Sequence, residues 1–293
     1  MAITKRTALI TGCSDGGLGA ALALALQQAD FHVFATVRNP AKAVSILEQQ
    51  HNGSGTIEVL QLDVTSAQSI QDCAALVRSK TAGKLDVLVN NAGMVTLSPL
   101  LDANIAQGRK TFDVNVWGLL AVTQAFSEMI IRAQGAILNI SSIAGAAKMA
   151  WQGIYNASKA STTWLSETLR IEMEPLGVRV ITAMVGEVET NIYANANNEP
   201  FKLPSNSYYR CVESFIQDQA AGKLQTQNEP VQITARNLVK DVLSGKSGQI
   251  WRGGVAGTAR LALWLLPGRL FALDCADRTR MVRWFGGKMA VLR

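Results

Sequence analysis

Thr7-Ala8-Leu9-Ile10-Thr11-Gly12-Cys13-Ser14-Asp15-Gly16-Gly17-Leu18-Gly19 is the stretch on which the fold turns. It begins with a short apolar run of the kind that is buried on both faces of a parallel sheet. A glycine-rich turn follows, and then an Ala- and Leu-rich helix over 20–29. Strand, glycine turn and helix in that order aim backbone N–H groups and the positive end of a helix dipole at one point, where a pyrophosphate can sit. Gly12, Ser14, Asp15, Gly17, Leu18 and Gly19 are the candidate contacts.

The same alternation continues downstream. A strand over 32–36 leads to Arg38, and a helix is expected over 41–50. A third strand over 57–62 ends in Asp63-Val64, a helix spans 66–79, and a fourth strand over 85–89 closes on Asn90-Asn91-Ala92-Gly93. A long helix is centred on 112–119, the strand 136–140 delivers Ser141 and Ser142, and a helix carries Tyr155 on to about 174. A sixth strand over 179–184, a helix over 231–243 and a short strand over 249–251 complete the pattern. Such repetition predicts an α/β protein with a Rossmann-type, doubly wound parallel sheet flanked by helices. Residues 1–252 are expected to form one dinucleotide-binding catalytic domain, with a polar, Asn- and Pro-rich substrate flap over 187–230. Residues 253–293 form an apolar and basic extension, too broken by Arg260 and Pro267 to span a bilayer. It is expected to pack on the protein or on a dimer partner, with interfacial membrane contact as the alternative.

Composition narrows the function. Of the 293 residues 48% are hydrophobic and 17% charged, which suits a well-covered sheet and excludes disorder. The net charge of +6 comes from scattered Lys and Arg with no arginine-rich run interleaved with aromatics, so nucleic acid is not an expected partner. Cys13, Cys73, Cys211 and Cys275 form no CxxC pair, and only His32 and His51 are present. A metal centre or a His-based triad therefore lacks raw material, and a reducing compartment fits. The first strand follows Met1 within a few residues, so no secretory signal is expected and a cytoplasmic location is.

The chemistry is concentrated around Tyr155-Asn156-Ala157-Ser158-Lys159. On a helix Tyr155 and Lys159 lie one turn apart on one face. A phenol, with an ordinary pKa of about 10, exchanges protons poorly at neutral pH, and a nearby ammonium is expected to lower it. Ser142 could supply a second hydrogen bond to the same atom. Asn115 stands in an apolar segment, where it is costly unless it bonds something. At the end of the second strand a dinucleotide fold meets the adenosine ribose, and Arg38 there favours a 2′-phosphate, hence NADPH over NADH. Asp63 and Val64 could meet the adenine, and the small residues of Asn91-Ala92-Gly93 allow close backbone approach to a ligand.

These residues together resemble the short-chain dehydrogenase/reductase family over about residues 4–251: Thr11-Gly12 with Gly16, Gly17 and Gly19, then Asn90-Asn91-Ala92-Gly93, Asn115, Ser142, Tyr155 and Lys159. Within it the chain is similar to the fungal branch that includes NADPH-dependent 1-acyldihydroxyacetone-phosphate reductases. The resemblance implies that Tyr155 donates a proton to a carbonyl oxygen that Ser142 holds. It also implies that Lys159 binds the nicotinamide ribose and lowers the Tyr155 pKa, and that Asn115 holds a water linked to Lys159. Val188 and Thr190 keep the places that contact the carboxamide, although Val185-Gly186 replaces the family's usual Pro-Gly. Asp15 stands where many NADPH-preferring members carry a basic residue, and the turn is one residue longer than the commonest spacing.

The expected activity is NADPH-dependent reduction of a ketone or aldehyde on a fairly large apolar substrate: a lipid intermediate, a steroid-like compound or a secondary metabolite. The alternatives are the reverse alcohol dehydrogenase, or a non-redox or cofactor-sensing protein on the same fold. A dimer or tetramer is expected, and possible sites of peripheral contact are an intracellular membrane or a lipid droplet.

Overall fold

A computed structural model describes residues 3–50, 53, 55–196, 201–225 and 227–265. In chain order its elements are β1 (Thr7–Thr11), α1 (Leu18–Gln28), β2 (His32–Val37), α2 (Val44–Glu48), β3 (Thr56–Gln61), α3 (Ala67–Lys80), β4 (Val87–Asn90), α4 (Ile105–Phe112), α5 (Leu119–Ala133), β5 (Ala136–Ile140), α6 (Gly153–Met173), β6 (Arg179–Val185), α7 (Ile192–Ala196), α8 (Glu213–Ala220), α9 (Val231–Leu243), β7 (Gly248–Arg252) and α10 (Ala256–Leu265). The seven strands form one parallel sheet in the order β3-β2-β1-β4-β5-β6-β7.

Side-chain alternation along the strands builds two cores, one on each face. Ala8 and Ile10 of β1, Val87 and Val89 of β4, and Leu138 of β5 pack with Leu22 and Leu26 of α1 and Leu238 of α9. Leu9, Leu88 and Ile137, one residue out of phase, pack with Val77 of α3 and Val122, Phe126 and Met129 of α5. Both faces are covered, which explains why these strands read as continuous apolar runs rather than alternating ones.

The order reverses at β1 and β4: the chain steps from β1 outward to β2 and β3, then returns to β4 on the other side. At such a switch point the loops leaving the carboxyl ends of the two strands diverge and open a crevice.

Two expectations change. The helix expected over 41–50 is a turn at Pro40–Lys42 followed by the single-turn helix α2. The stretch 187–230 contains α7 and α8 and a small core of its own, in which Leu203, Val212 and Ile216 are buried. In the extension, α10 buries Ala256, half-buries Ala262 and Leu263, and leaves Leu261, Trp264 and Leu265 exposed. The remainder of the extension, 266–293, with Cys275 and its basic residues, lies outside the described residues, as does His51.

Candidate active site

A cleft of about 1400 Å³ opens at the switch point. Gly12 ends β1 in the left-handed region at φ +74°, and a Cβ there would lie 2.8 Å from the Ala92 Cα. That close approach lets β1 and β4 be laced together. Asn91 and Ala92 donate their backbone N–H groups to Thr11 Oγ1 at 3.0 and 2.9 Å, and Asn91 Nδ2 donates to the carbonyls of Thr11 and Gly12 at 2.8 and 3.0 Å. Gly19 sits behind this junction: its Cβ would lie 2.6 Å from the Gly12 carbonyl, so its role is to let α1 pack against the turn. Gly17 caps α1 and lines the cleft, and among the described residues no side chain caps the first-turn N–H groups. Gly16 takes the left-handed conformation at φ +72°, facing Asn191 instead. A diphosphate therefore fits the turn on two counts: free helix N–H donors and backbone that no Cβ obstructs.

At the end of the cleft beside β2 and β3, Ser14, Leu18, Arg38, Asp63 and Val64 line the wall. Two of the sequence candidates have other partners. Asp15 turns its carboxylate to Ser45, accepting from Oγ at 2.5 Å and from the backbone N–H at 3.4 Å, and it does not line the cleft. Asp63 accepts from the Thr65 N–H and hydroxyl at 2.9 and 2.7 Å, which closes the turn after β3. The sequence reading missed Lys42, which lines the cleft beside Arg38 and Asn39. Its signal is a second cation four residues beyond Arg38, at the start of the helix expected over 41–50.

The other end of the cleft holds the reactive side chains. α6 brings Tyr155 and Lys159 to the cleft wall, and the end of β5 brings Ser142 against them. The Ser142 hydroxyl is a neighbour of the Tyr155 phenol, and its Oγ accepts from the Ala144 N–H at 3.1 Å. Ser141 is turned away, with its Oγ donating to the Lys159 carbonyl at 3.1 Å and paired with Thr163. Lys159 Nζ donates to the Ile140 carbonyl at 2.8 Å and lies 6.0 Å from the centre of the Tyr155 ring. Gly93 faces this group, with a Cβ position 3.5 Å from Lys159 Nζ.

Electrostatics correct one expectation. The Tyr155 pKa is not lowered but raised above the ordinary phenol value, chiefly because burial disfavours the phenolate; the neighbouring phenol of Tyr193 adds to the rise and the neighbouring Ser142 hydroxyl opposes it. Burial acts on Lys159 as well and pulls its ammonium down to about 8. Two buried groups, each penalised for its own charge, leave Tyr155 a neutral hydrogen-bond donor at pH 7.

Asn115 lies in a π-helical segment, Asp113–Gly118, between α4 and α5. Such local widening of a helix recurs at functional positions. The partners that a buried amide requires are present: Oδ1 accepts from Met94 N–H at 2.8 Å, while Nδ2 donates to the Met94 carbonyl and Ser158 Oγ, both at 2.9 Å. Thr162 Oγ1 donates to the Asn115 carbonyl at 2.9 Å. Asn115 thus clamps the chain after Gly93 to α6 and does not itself line the cleft.

Val188 and Thr190, beyond β6, line the cleft, as do Tyr193, Val212, Phe215, Leu224 and Gln225 from the stretch that follows. These last five are functional candidates that the sequence reading left within an undivided flap.

Residues 6–200 match the family model for short chain dehydrogenases. The chain is 44% identical over 266 residues to the short-chain dehydrogenase cctT of Talaromyces islandicus, covering 91% of this chain and 92% of that one. It is 38% identical over 288 residues to the NADPH-dependent 1-acyldihydroxyacetone phosphate reductase of Schizosaccharomyces pombe, covering 92% and 93%. A solved structure of a short-chain dehydrogenase from Streptomyces avermitilis superposes with a TM-score of 0.75 at 25% identity, covering 99% of this chain and 100% of that one. The chain belongs to the short-chain dehydrogenase/reductase family of oxidoreductases.

Proposed function

We propose that the protein is an NADPH-dependent reductase that converts the ketone or aldehyde of a fairly large apolar substrate to an alcohol. The observation that carries this reading is the meeting of Tyr155, Ser142 and Lys159 at one end of a cleft whose other end is a helix N-terminus flanked by Arg38 and Lys42. When bound, the reduced nicotinamide supplies the hydride. Tyr155 gives its proton to the carbonyl oxygen, and Ser142 holds that oxygen in place. Lys159 binds the nicotinamide ribose, Asn115 keeps α6 and the Gly93 strand end in register, and Val188 and Thr190 meet the carboxamide. A phenol held neutral by burial suits the role of acid; run in reverse, the same groups oxidise an alcohol.

Arg38 and Lys42 support NADPH over NADH, since two cations suit a 2′-phosphate. That preference is in the name of the fission-yeast relative. Met149, Trp151, Val212, Phe215 and Leu224 give the substrate end an apolar wall, which supports a lipid-like, steroid-like or secondary-metabolite carbonyl. Trp164 and Ile171, exposed seven residues apart on α6, support a homo-oligomer. The bare apolar side chains of α10 support a cytoplasmic enzyme in peripheral contact with an intracellular membrane or lipid droplet.

The test uses NADPH carrying deuterium at the transferable position and a panel of apolar ketones and aldehydes. Deuterium on the carbinol carbon of a product supports the proposal; no consumption of NADPH with any member would overturn it.

A further inference from the structure

Tyr193 is a second phenol at the reactive end of the cleft, with no role in the scheme above. It projects from α7 and packs against the cluster that contains Tyr155, Val95, Leu97 and Ala144. Gly222, at φ +73°, lies against its base: a Cβ there would sit 3.2 Å from Tyr193 Cδ2. Its oxygen is held from behind, because Gln225 Nε2 donates to it at 3.0 Å. That leaves the Tyr193 hydroxyl proton for an acceptor elsewhere, and Tyr193 and Gln225 both line the cleft. Tyr155 and Tyr193 belong to one packed cluster and line one cleft, and among the described residues no hydrogen bond joins their hydroxyls. Each hydroxyl is therefore free to address its own point on a molecule bound between them.

Building on the reductase reading, we propose that Tyr193 is a substrate-positioning residue. Oriented by Gln225, it donates a hydrogen bond to a second oxygen close to the carbonyl that Tyr155 protonates. The substrate class is thereby narrowed to apolar carbonyl compounds with an adjacent oxygen function, such as a vicinal dicarbonyl or an α- or ortho-hydroxy ketone or aldehyde. A second oxygen fixes which face of the carbonyl is presented and how far it can slide along the apolar wall. A site built to pair such an oxygen discriminates against an analogue that lacks it, because the half-buried phenol, covered by the bound molecule, is then left without an acceptor.

The experiment compares two planar tricyclic compounds, phenanthrene-9,10-dione and fluorenone, as substrates of the full chain with NADPH. The dione is the more electrophilic ketone in every variant, so the informative quantity is the change in the dione-to-monoketone ratio of kcat/KM on substitution. In Tyr193→Phe that ratio is expected to fall about tenfold, the size of one net hydrogen bond, chiefly through KM for the dione, and in Gln225→Leu to fall part of the way. Equal losses on both compounds, or an unchanged ratio in Tyr193→Phe, would overturn the inference while leaving the reductase reading intact, provided Tyr155→Phe abolishes turnover. No turnover of the dione by a wild type that reduces other ketones would also overturn the inference alone, whereas full turnover by Tyr155→Phe would sink the reductase reading and this inference with it.

Discussion

Lys159 donates from Nζ to the main-chain carbonyl of Ile140 at 2.8 Å, so an ammonium buried on α6 is tied to the last residue of β5. One hydrogen bond does not replace the hydration of a cation, and burial pulls the Lys159 pKa from 10.5 to about 8. In the unfolded chain the group stays protonated to higher pH, so the folded state carries a cost. That cost is complete below about pH 8 and is relieved as pH rises from there to 10.5. Lys159→Met is expected to stabilise the ligand-free protein by about 2 kcal/mol at pH 7, after allowing for the lost hydrogen bond, and to lose activity. Chemical denaturation at pH 7 and pH 10 checks this: the gain should shrink at the higher pH.

The opposite sign applies at the edge of the sheet. Asp241 of α9 is buried and receives Arg252 on both oxygens at 2.7 and 2.8 Å and Lys246 at 2.6 Å. Burial opposes ionisation, but the guanidinium and ammonium outweigh it and hold the carboxyl below the ordinary Asp value. The stability it contributes is therefore present above the ordinary Asp pKa and is lost as pH falls through the lowered one. Asp241→Asn is expected to cost about 3 kcal/mol at pH 7, because two cations lose their partner. Melting curves at pH 7 should show the loss, and the difference from wild type should narrow in acid.

Arg38 and Lys42 provide the cofactor test. Replacing either by Ala is expected to raise KM for NADPH about tenfold, the size of one charge-assisted hydrogen bond, with little effect on KM for NADH. Arg38→Asp should reverse the preference. Steady-state kinetics with both cofactors checks this, and equal effects on the two would argue against a phosphate at that end.

Much of this was legible because strand and turn chemistry is local. The run Thr7-Ala8-Leu9-Ile10, the bounds of β5 and α9, and the meeting of Ser142 with Tyr155 follow from apolar runs and fixed spacings. What was not legible depends on packing between distant segments. Asp15 looks like a ligand of the turn until α2 brings Ser45 to it, thirty residues along the chain. The direction of the Tyr155 shift could not be read from a nearby Lys, because burial of both groups decides it. The stretch 187–230 has no periodicity long enough to announce α7 and α8, whose core forms only once Leu203 meets Val212 and Ile216.

Trp164 and Ile171 lie on one face of α6, 76% and 63% exposed. A second copy pairing there by two-fold symmetry would bring like residues together. Trp164→Glu is expected to convert a dimer or tetramer to a smaller species in light scattering, with melting unchanged at protein concentrations where both are monomeric.

The central claim is that the Tyr155 phenol delivers the proton. Tyr155→Phe keeps the ring in its apolar cluster and removes only the oxygen. The decisive measurement is its kcat for NADPH-dependent carbonyl reduction beside its affinity for NADPH. The account predicts a fall of about 10²- to 10⁴-fold in kcat with cofactor binding retained; turnover near that of the wild type would contradict it.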